Sequence, residues 1–399
     1  MWSRRELLKT AAAGFGLLVI PPVLLRGGAA RAAGNDPVLV TIFLRGAADF
    51  LNLVVPTGDP HYYTGRPTLA VAPGAELPLD GFFGLHPSLA ALQPWYASGQ
   101  LAVIHACGSP NDTRSHFDAQ DFMERAAPGD KSVRTGWLNR FLSAAGISTP
   151  LGAITLGHSA VKALEGDAVS LAIPSIASLN LVGTWVADQR ATLEQIYSAA
   201  GGPVARTAEN AFDVYETIRG ISTATSVTYP ANSLGVYLKD IAALIKADIG
   251  VRVAATDLDG WDHHFDEIQK LPGLASGLAS ALSAFATDLG ADLNRTAIVV
   301  MTEFGRRAAE NGARGTDHGR AAAMLVLGGG ISGGRVLLRD NIWPGLAPAQ
   351  MFEGIDLQVT TDFRDVFAEL LHRRMGLANL AGIFPGYSTT PSRYPGLYL

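Results

Sequence analysis

The sequence has almost no cysteine and no excess of positive charge, and each absence excludes a class of protein. Cys107 is the only cysteine in 399 residues, which rules out a disulfide framework and a cysteine-rich metal site. Lysine and arginine number 31 against 36 acidic residues, whereas a nucleic-acid-binding protein carries a concentrated basic surface. Hydrophobic residues make up 48% of the chain and charged residues 17%, which predicts a folded protein with a sizeable core.

The amino terminus has the composition of an export signal. Residues 1–32 contain the pair Arg4-Arg5, an apolar stretch over 10–25 and the small residues of Ala30-Arg31-Ala32. This order resembles a twin-arginine signal peptide, which is removed after export, and an uncleaved membrane anchor is the alternative. We expect a periplasmic or secreted protein that meets the membrane only through this segment, with a single domain over 33–399.

Apolar runs of strand length alternate with amphipathic helical stretches along most of the chain. The predicted strands are 38–44, 101–106, 251–256, 297–301 and 324–327, and the predicted helices are 88–98, 116–125, 234–249, 362–375 and a stretch from Pro272 to Leu289. We expect Ser233 and Thr361 to cap the helices that follow them. The alternation predicts the α/β class, with a mostly parallel central sheet between helical layers. The region 127–232 has weaker periodicity and is interpreted as an insertion on the substrate side.

Carboxylates and imidazoles follow several predicted strands. Asp49, Asp262 and Glu303 each come just after a strand, where ligands bind in parallel sheets. His264 lies two residues after Asp262, and Asp317-His318 repeats the pairing between two glycines. Such donors suit a divalent cation such as Zn, Mn, Mg or Ca.

Each of these residues also has an ordinary structural interpretation. Asp262 could cap a helix, Asp317-His318 could form a hydrogen-bonded turn, and Glu303 could pair with Arg306 or Arg307.

The turn before the predicted helix 116–125 contains two hydroxyls and a guanidinium. Ser115 could act as a nucleophile once a metal or base lowers the pKa of its hydroxyl, although Thr113 competes for that role. Arg114 could clamp an anionic phosphate or sulfate group through two hydrogen bonds. The alternative is that Ser115 serves only as the N-cap of the helix.

Several motifs together resemble one known family, domain-of-unknown-function family 1501 (DUF1501). The motifs are Arg45-Gly-Ala-Ala-Asp49, Leu85-His-Pro87, Arg114-Ser-His-Phe117, Gly136-Trp-Leu-Asn-Arg140, Gly260-Trp-Asp-His-His264, Glu303-Phe-Gly-Arg306, Gly315-Thr-Asp-His-Gly319 and Thr360-Thr-Asp-Phe-Arg364. The family is grouped with the alkaline phosphatase and sulfatase superfamily, and its members are typically exported. The resemblance implies an alkaline phosphatase-like fold with a divalent-metal site that hydrolyses phosphate or sulfate esters.

The resemblance also implies roles for individual residues. Asp49 matches a metal-binding aspartate of the superfamily, Ser115 falls where its nucleophile lies, and Asp262 with His264 matches a pair that holds one metal. Glu303 stands where an Asp-His pair is usual. Here the carboxylate is kept and the imidazole is not.

Two alignments remain open for the last histidine. In the first, His318 is the late histidine of the first metal, with Asp317 beside it. In the second, Asp317-His318 is itself the Asp-His pair, Glu303 is an extra ligand, and the late histidine is missing unless it is His372. The sequence contains no Cys-x-Pro-x-Arg motif, which argues against a formylglycine mechanism.

The expected function is therefore an exported metal-dependent hydrolase that acts on an anionic ester. A non-catalytic exported protein is the alternative. It would keep the fold and at most one structural metal, and it would bind an envelope protein or a polysaccharide. A hydrolase that degrades a polymer is a third interpretation.

Overall fold

The computed structural model describes residues 34–157, 160–179, 191–192, 195–197, 199 and 202–398. The predicted export signal at 1–32 lies outside the described residues, so its assignment stays a prediction. Among the described residues, no helix is both long and apolar enough to cross a bilayer.

The strands are numbered in chain order. They are β1 (Val38–Leu44), β2 (Val54–Val55), β3 (Leu77–Pro78), β4 (Gly84–Leu85), β5 (Leu101–Gly108), β6 (Ala153–Leu156), β7 (Leu171–Ile173), β8 (Val253–Leu258), β9 (Thr296–Met301), β10 (Ala322–Gly328), β11 (Arg335–Leu337) and β12 (Thr361–Asp362). Strands β2, β4 and β3 form a small separate antiparallel sheet.

The α-helices of the described residues are numbered in the same way. They are α1 (Phe50–Leu53), α2 (Pro60–Gly65), α3 (Gln93–Ala97), α4 (His116–Arg125), α5 (Trp137–Ala144), α6 (Gly202–Arg219), α7 (Ser233–Lys246), α8 (Glu267–Leu289) and α9 (Phe363–Glu369). Short 3₁₀ turns cover Pro87–Leu92, Pro150–Gly152, Lys162–Leu164, Ala177–Leu179, Gly290–Arg295, Arg339–Asn341, Pro348–Gln350 and Pro391–Arg393, and a π turn covers Leu370–Arg374.

The central sheet places several strand ends at one edge. Its strand order within the described residues is β11-β5-β10-β9-β1-β8-β6-β7, and β12 also pairs with β5. Strand β10 is antiparallel to β5 and β9, and the other pairs are parallel. The carboxyl ends of β1, β5, β8 and β9 and the start of β10 therefore meet at the same edge. The predicted α/β class with a mostly parallel sheet is confirmed.

The sheet is buried on both faces, which explains why its central strands are continuous apolar runs. Val40 and Ile42 of β1 pack into one hydrophobic cluster with side chains of α7 and α8. Leu39 and Phe43 pack into a second cluster, on the other face, with side chains of α5 and α9. The two helical layers hold the sheet rigidly and so fix the positions of the loops at its edge.

Most predicted elements are confirmed, and β1 and α4 have the predicted bounds. The predicted helix 88–98 is a 3₁₀ turn followed by the short α3. Helix α8 begins five residues before Pro272 rather than after it. The proline lies near the start of the helix, where it removes only one backbone hydrogen bond.

The two predicted helix caps were each wrong by one residue. The side chain of Asn232, not Ser233, accepts a hydrogen bond from Gly235 N at 2.7 Å. The side chain of Asp362, not Thr361, accepts one from Arg364 N at 2.9 Å. Both capping residues have the extended backbone that turns the side chain toward the free amides of the first turn.

The middle region is partly built into the core of the domain. Strands β6 and β7 extend the central sheet beside β8, and Trp137 of α5 is fully buried against Phe367, with ring centroids 4.2 Å apart. Residues 158–159 and 180–190 lie outside the described part of this region. That the region forms a substrate wall stays a prediction.

A buried ion pair between Arg66 and Asp49 holds the loop that follows β1 in place. Arg66 is fully buried and donates hydrogen bonds to both carboxylate oxygens of Asp49 and to the carbonyl oxygens of Arg307 and Ala308. Burial raises the pKa of Asp49, but the charge and hydrogen bonds of Arg66 outweigh it and lower the pKa overall. Asp49 is thus a buried anion that depends on one guanidinium.

We predict that Arg66→Met destabilises the fold strongly. The substitution leaves the Asp49 carboxylate buried without its partner, which costs about 3–5 kcal/mol. Chemical denaturation of the purified protein measures this change in the free energy of unfolding. Arg219→Met is the control, because its ion pair with Glu216 is exposed and is worth less than about 1 kcal/mol. Equal stabilities of the two variants would contradict the prediction.

Candidate metal centre

Three imidazole rings from distant parts of the chain meet at the carboxyl edge of the sheet. His116 begins α4 after β5, His264 follows β8, and His318 precedes β10. The Nε2 atom of His318 lies 2.9 Å from Nε2 of His116 and 2.9 Å from Nε2 of His264. The sheet topology brings the three rings together across about 200 residues of sequence.

The carboxylate of Asp262 completes this cluster. Its Oδ1 lies 3.1 Å from Nε2 of His264 and 3.2 Å from Nε2 of His318, and its Oδ2 lies 3.4 Å from Nε2 of His116. The ligand atoms of His116, Asp262 and His318 all lie within 4.8 Å of one another, close enough for one ion. We call the set His116, Asp262, His264 and His318 the metal cluster.

Each imidazole of the metal cluster has an acceptor behind it. Nδ1 of His116 lies 2.8 Å from Oε1 of Glu303, and Nδ1 of His318 lies 2.7 Å from the carbonyl oxygen of Arg114. Nδ1 of His264 lies 3.3 Å from Oδ1 of Asp317. A carbonyl or an ionised carboxylate can only accept, so the hydrogen-bond network assigns the proton of each neutral ring to Nδ1.

This proton assignment tests whether the cluster fits a cation. With Nδ1 protonated, all three Nε2 lone pairs point toward one another and toward the negative charge of Asp262, an arrangement that is repulsive by itself. A divalent cation among His116, Asp262 and His318 would relieve this repulsion, and imidazoles backed by carboxylates and carbonyls are the usual form of a protein metal site. The residues present therefore fit a divalent cation with nitrogen and oxygen ligands, such as Zn or Mn.

Neighbouring charges keep Asp262 ionised, and the pKa values of His116 and His318 shift in opposite directions. Burial raises the pKa of Asp262, but a hydrogen bond and the charge of Arg306 outweigh it and bring the pKa to about 2. Burial lowers the pKa of His116, yet the hydrogen bond and charge of Glu303 raise it overall. Burial lowers the pKa of His318 overall and outweighs the hydrogen bond to the Arg114 carbonyl, which raises it. His318 is thus held neutral, as a metal ligand must be.

Two glycines allow the loops of the cluster to approach closely. Gly46 has φ +113°, and a Cβ atom there would lie 2.6 Å from the backbone nitrogen of Asp262. A Cβ atom on Gly315 would lie 2.4 Å from the carbonyl carbon of His264. The glycines of the Arg-Gly-Ala-Ala-Asp and Gly-Thr-Asp-His-Gly motifs therefore let two ligand segments touch neighbouring loops.

The metal cluster is open to solvent. The side chain of Asp262 is 45% exposed and that of His264 is 41% exposed, while His116 and His318 are about half as accessible. A metal site with a purely structural role is closed by its ligands and by packing, whereas a catalytic site keeps an accessible position.

The sequence analysis named three of the four cluster residues, Asp262, His264 and His318, and missed His116. The missed signal is a repeated tripeptide, because His-Phe-Asp occurs at 116–118 and again at 264–266. The second copy contains a predicted ligand, so the first copy was a candidate on the same grounds.

Glu303 and Asp317 take supporting positions rather than the expected ligand positions. Oε1 of Glu303 already accepts hydrogen bonds from His116, from Gln120 at 2.8 Å and from Gly46 N at 2.9 Å. Asp317 accepts from Asn311 at 3.1 Å and faces the Nδ1 side of His264. Both carboxylates orient an imidazole from behind, since the rings stand between them and the cluster centre.

Asp49 is not part of the metal cluster, and its expected role as a metal ligand stays a prediction. It does follow β1 at the predicted edge, but its side chain turns inward to Arg66 and is almost fully buried. Glu267 is buried next to Asp49, and burial together with the charge of Asp49 raises the pKa of Glu267 well above its usual range. The position beside Asp49 therefore favours the neutral form of Glu267.

The turn before α4 supplies a backbone group rather than the expected guanidinium clamp. The Arg114 side chain pairs with Asp356, its Nε lying 3.1 Å from Oδ2, and its Nη2 lies 2.8 Å from Oε2 of Glu353. Its carbonyl oxygen, not its charge, faces the cluster through His318. Ser115 is the N-cap residue of α4, but among the described residues its side chain accepts no capping hydrogen bond.

We predict that the purified protein holds about one divalent metal ion per chain and loses it in His264→Ala and His318→Ala. Each substitution removes a nitrogen that a cation in the cluster would need. Elemental analysis of the three proteins measures the metal content. His61→Ala is the matched control and retains its metal, because His61 is an exposed histidine outside the cluster. A metal-free but folded wild-type protein would contradict the assignment.

We predict that Glu303→Gln weakens metal binding without abolishing it. A glutamine keeps the size of the side chain but loses the negative charge that orients and polarises His116, which costs about 10–100-fold in affinity. Competition with a chromogenic chelator measures the dissociation constant. Glu353→Gln, an exposed carboxylate next to Arg114, is the control. An unchanged dissociation constant for Glu303→Gln would show that the carboxylate does not act through His116.

Solved structures that resemble this chain are distant in sequence. The C-terminal periplasmic domain of EcEptC from Escherichia coli is 12% identical, with a TM-score of 0.42 over 92% of this chain and 88% of that chain. The same domain in complex with Zn is 10% identical, with a TM-score of 0.38 over 75% of each chain. PsFucS1 sulfatase from Pseudoalteromonas sp. is 12% identical, with a TM-score of 0.34 over 100% of this chain and 75% of that chain.

A structure described as a protein in the alkaline phosphatase superfamily, from Vibrio parahaemolyticus, is 11% identical, with a TM-score of 0.33 over 85% of this chain and 72% of that chain. No curated protein matches the sequence. A family model described as "Protein of unknown function (DUF1501)" matches residues 36–383, which is most of the chain and includes the whole metal cluster. The chain therefore belongs to the DUF1501 family.

Proposed function

We propose that this protein is an exported metal-dependent hydrolase that acts on a phosphate or sulfate ester. The observation that carries the proposal is the convergence of three imidazole Nε2 atoms and Asp262 at one accessible point on the carboxyl edge of the sheet. Two imidazoles and a carboxylate, as in the triad His116, Asp262 and His318, match the three protein ligands that a hydrolytic zinc site uses beside its open position. Export is proposed from the amino-terminal sequence alone.

The residues in and around the metal cluster would have different roles in such a site. A bound divalent cation would polarise the ester and stabilise the negative charge that develops on its oxygens. Arg306 keeps Asp262 ionised through a hydrogen bond of 2.6 Å, and Glu303 and Asp317 hold the rings of His116 and His264 in place. These contacts fix the ligands before a substrate arrives, which is the preorganisation that catalysis requires.

Ser115 is the proposed nucleophile because it directly precedes His116 at the amino end of α4. Its hydroxyl is not used to cap the helix, and the amide end of the helix favours an anionic group nearby. In the proposed reaction the Ser115 oxygen forms a bond to phosphorus or sulfur while the ester bond breaks. The alcohol leaves with a proton, and water then releases phosphate or sulfate from Ser115.

We predict that Ser115→Ala reduces ester hydrolysis by about 10³-fold or more while the metal content stays unchanged. The substitution removes the attacking oxygen and leaves all four cluster residues in place. Release of phosphate and sulfate from a panel of mono- and diesters, with Zn, Mn, Mg and Ca each supplied, measures the activity. Thr113→Ala is the control, because Thr113 Oγ1 only accepts a hydrogen bond from Ser115 N at 3.2 Å.

The outcomes separate the parts of this proposal. If Thr113→Ala is the inactive variant, the nucleophile is Thr113. Full activity of both variants would exclude a hydroxyl nucleophile. If the metal-loaded wild-type protein hydrolyses no ester in the panel, the hydrolase function is rejected.

A non-catalytic exported binding protein is the second candidate, and one observation favours it. The two further carboxylates that a second cation would need are already committed, Asp49 to Arg66 and Glu303 to His116 and Gln120. The described residues thus offer one cation site rather than a pair. One metal per chain together with no hydrolysis of any ester would support this candidate.

A further inference from the structure

The tripeptide His-Phe-Asp occupies equivalent places on two sides of the metal cluster. His116-Phe117-Asp118 opens α4, and His264-Phe265-Asp266 immediately precedes α8. The leading histidine of each copy has its Nε2 atom 2.9 Å from Nε2 of His318. Each phenylalanine therefore stands one residue away from a group that would hold the cation.

Both phenylalanine side chains project into solvent. Phe117 is 88% exposed and Phe265 is 56% exposed. Burying such a ring is worth roughly 1.5–3 kcal/mol, and each of these rings leaves most of that stabilisation unused in the free protein. One exposed apolar residue is ordinary on a protein surface, but two rings placed alike beside one polar cluster form a binding feature.

The surroundings of the rings are charged. Lys270 places its ammonium nitrogen 3.2 Å from the ring centroid of Phe265, which holds that ring through a cation–π contact. The residues that follow the rings are in exposed ion pairs, Asp118 with Lys131 and Asp266 with Arg314, both at 2.7 Å.

These charges decide what kind of ligand fits. Each ring is preceded in sequence by a histidine of the metal cluster and followed by an aspartate in an ion pair, so charged and polar groups accompany both rings. A bilayer or an apolar protein face would have to remove water from these charged groups, which is unfavourable. The ligand that fits has flat apolar faces with polar edges and extends across the cluster from one ring toward the other.

We propose that Phe117 and Phe265 are stacking platforms for sugar rings, and that the ligand of the metal cluster is a glycan that carries anionic ester groups. The C–H faces of a pyranose are apolar and slightly positive, so they pack on the negative face of an aromatic ring, while the hydroxyl groups stay in water. The glycan part of this inference stands on the two rings. The ester part rests on the proposed function.

The test uses the complete exported protein and an array of neutral, sulfated and phosphorylated oligosaccharides. Titration calorimetry with the oligosaccharide that binds best is then carried out on metal-stripped and Zn-loaded protein. We expect Phe117→Ala and Phe265→Ala each to weaken binding by about tenfold in both forms. Phe117→Tyr and Phe265→Tyr keep a ring and retain the affinity. Ile342→Ala, which changes an exposed apolar residue outside both tripeptides, binds as the wild type does.

Several results would overturn the stacking proposal. These are no binding to any oligosaccharide on the array, equal affinities of the alanine variants and the wild type, or ring-dependent sedimentation with phosphatidylcholine–phosphatidylglycerol vesicles in place of glycan binding. Ring-dependent binding of a neutral oligosaccharide, with no ester hydrolysed, supports the stacking platforms and rejects only the hydrolase function.

Discussion

One buried guanidinium, that of Arg306, connects the loops on which the metal cluster is built. It follows β9 and donates hydrogen bonds to the carbonyl oxygens of Gly46 and Ala47 after β1, to that of Trp261 after β8 and to that of Thr316 before β10. The same group binds the carboxylate of Asp262. This one rigid planar group thus joins the segment after β9 to the segments after β1, after β8 and before β10. It fixes their relative positions, and with them the positions of Asp262, His264 and His318.

The buried charges divide into two groups with different tasks. Asp49 is paired with Arg66 and is almost fully buried, so it stabilises the loop after β1 and is closed to ligands. Asp262 is paired with Arg306, but its side chain remains nearly half exposed, so it can still bind a cation. Two aspartates at neighbouring strand ends thus have opposite uses, and the difference comes from burial and from which guanidinium each one meets.

Each imidazole of the metal cluster is held in its orientation by a hydrogen-bond acceptor at Nδ1. Two carboxylates and one carbonyl oxygen lie behind the rings, and the ligand atoms of His116, Asp262 and His318 meet in front, with Nε2 of His264 next to His318 and Asp262. This order keeps the rings in one tautomer and one orientation, which reduces the reorganisation that cation binding would require. The exposed phenylalanines beside His116 and His264 then place any ligand of the rings next to the cluster.

The sequence by itself determined the elements and part of the site. Apolar runs of strand length that alternate with amphipathic helical stretches indicate a sheet covered on both faces, so β1 and the α/β class were predictable, and Asp262, His264 and His318 could be named as candidates. The tertiary structure alone decided which side chains meet. Arg66 reaches Asp49, and His116 displaces Glu303 from the cluster, because such pairings depend on distances of a few ångströms between loops. Local sequence patterns carry no information on those distances, whereas burial, charge and hydrogen bonding across the sheet edge set them.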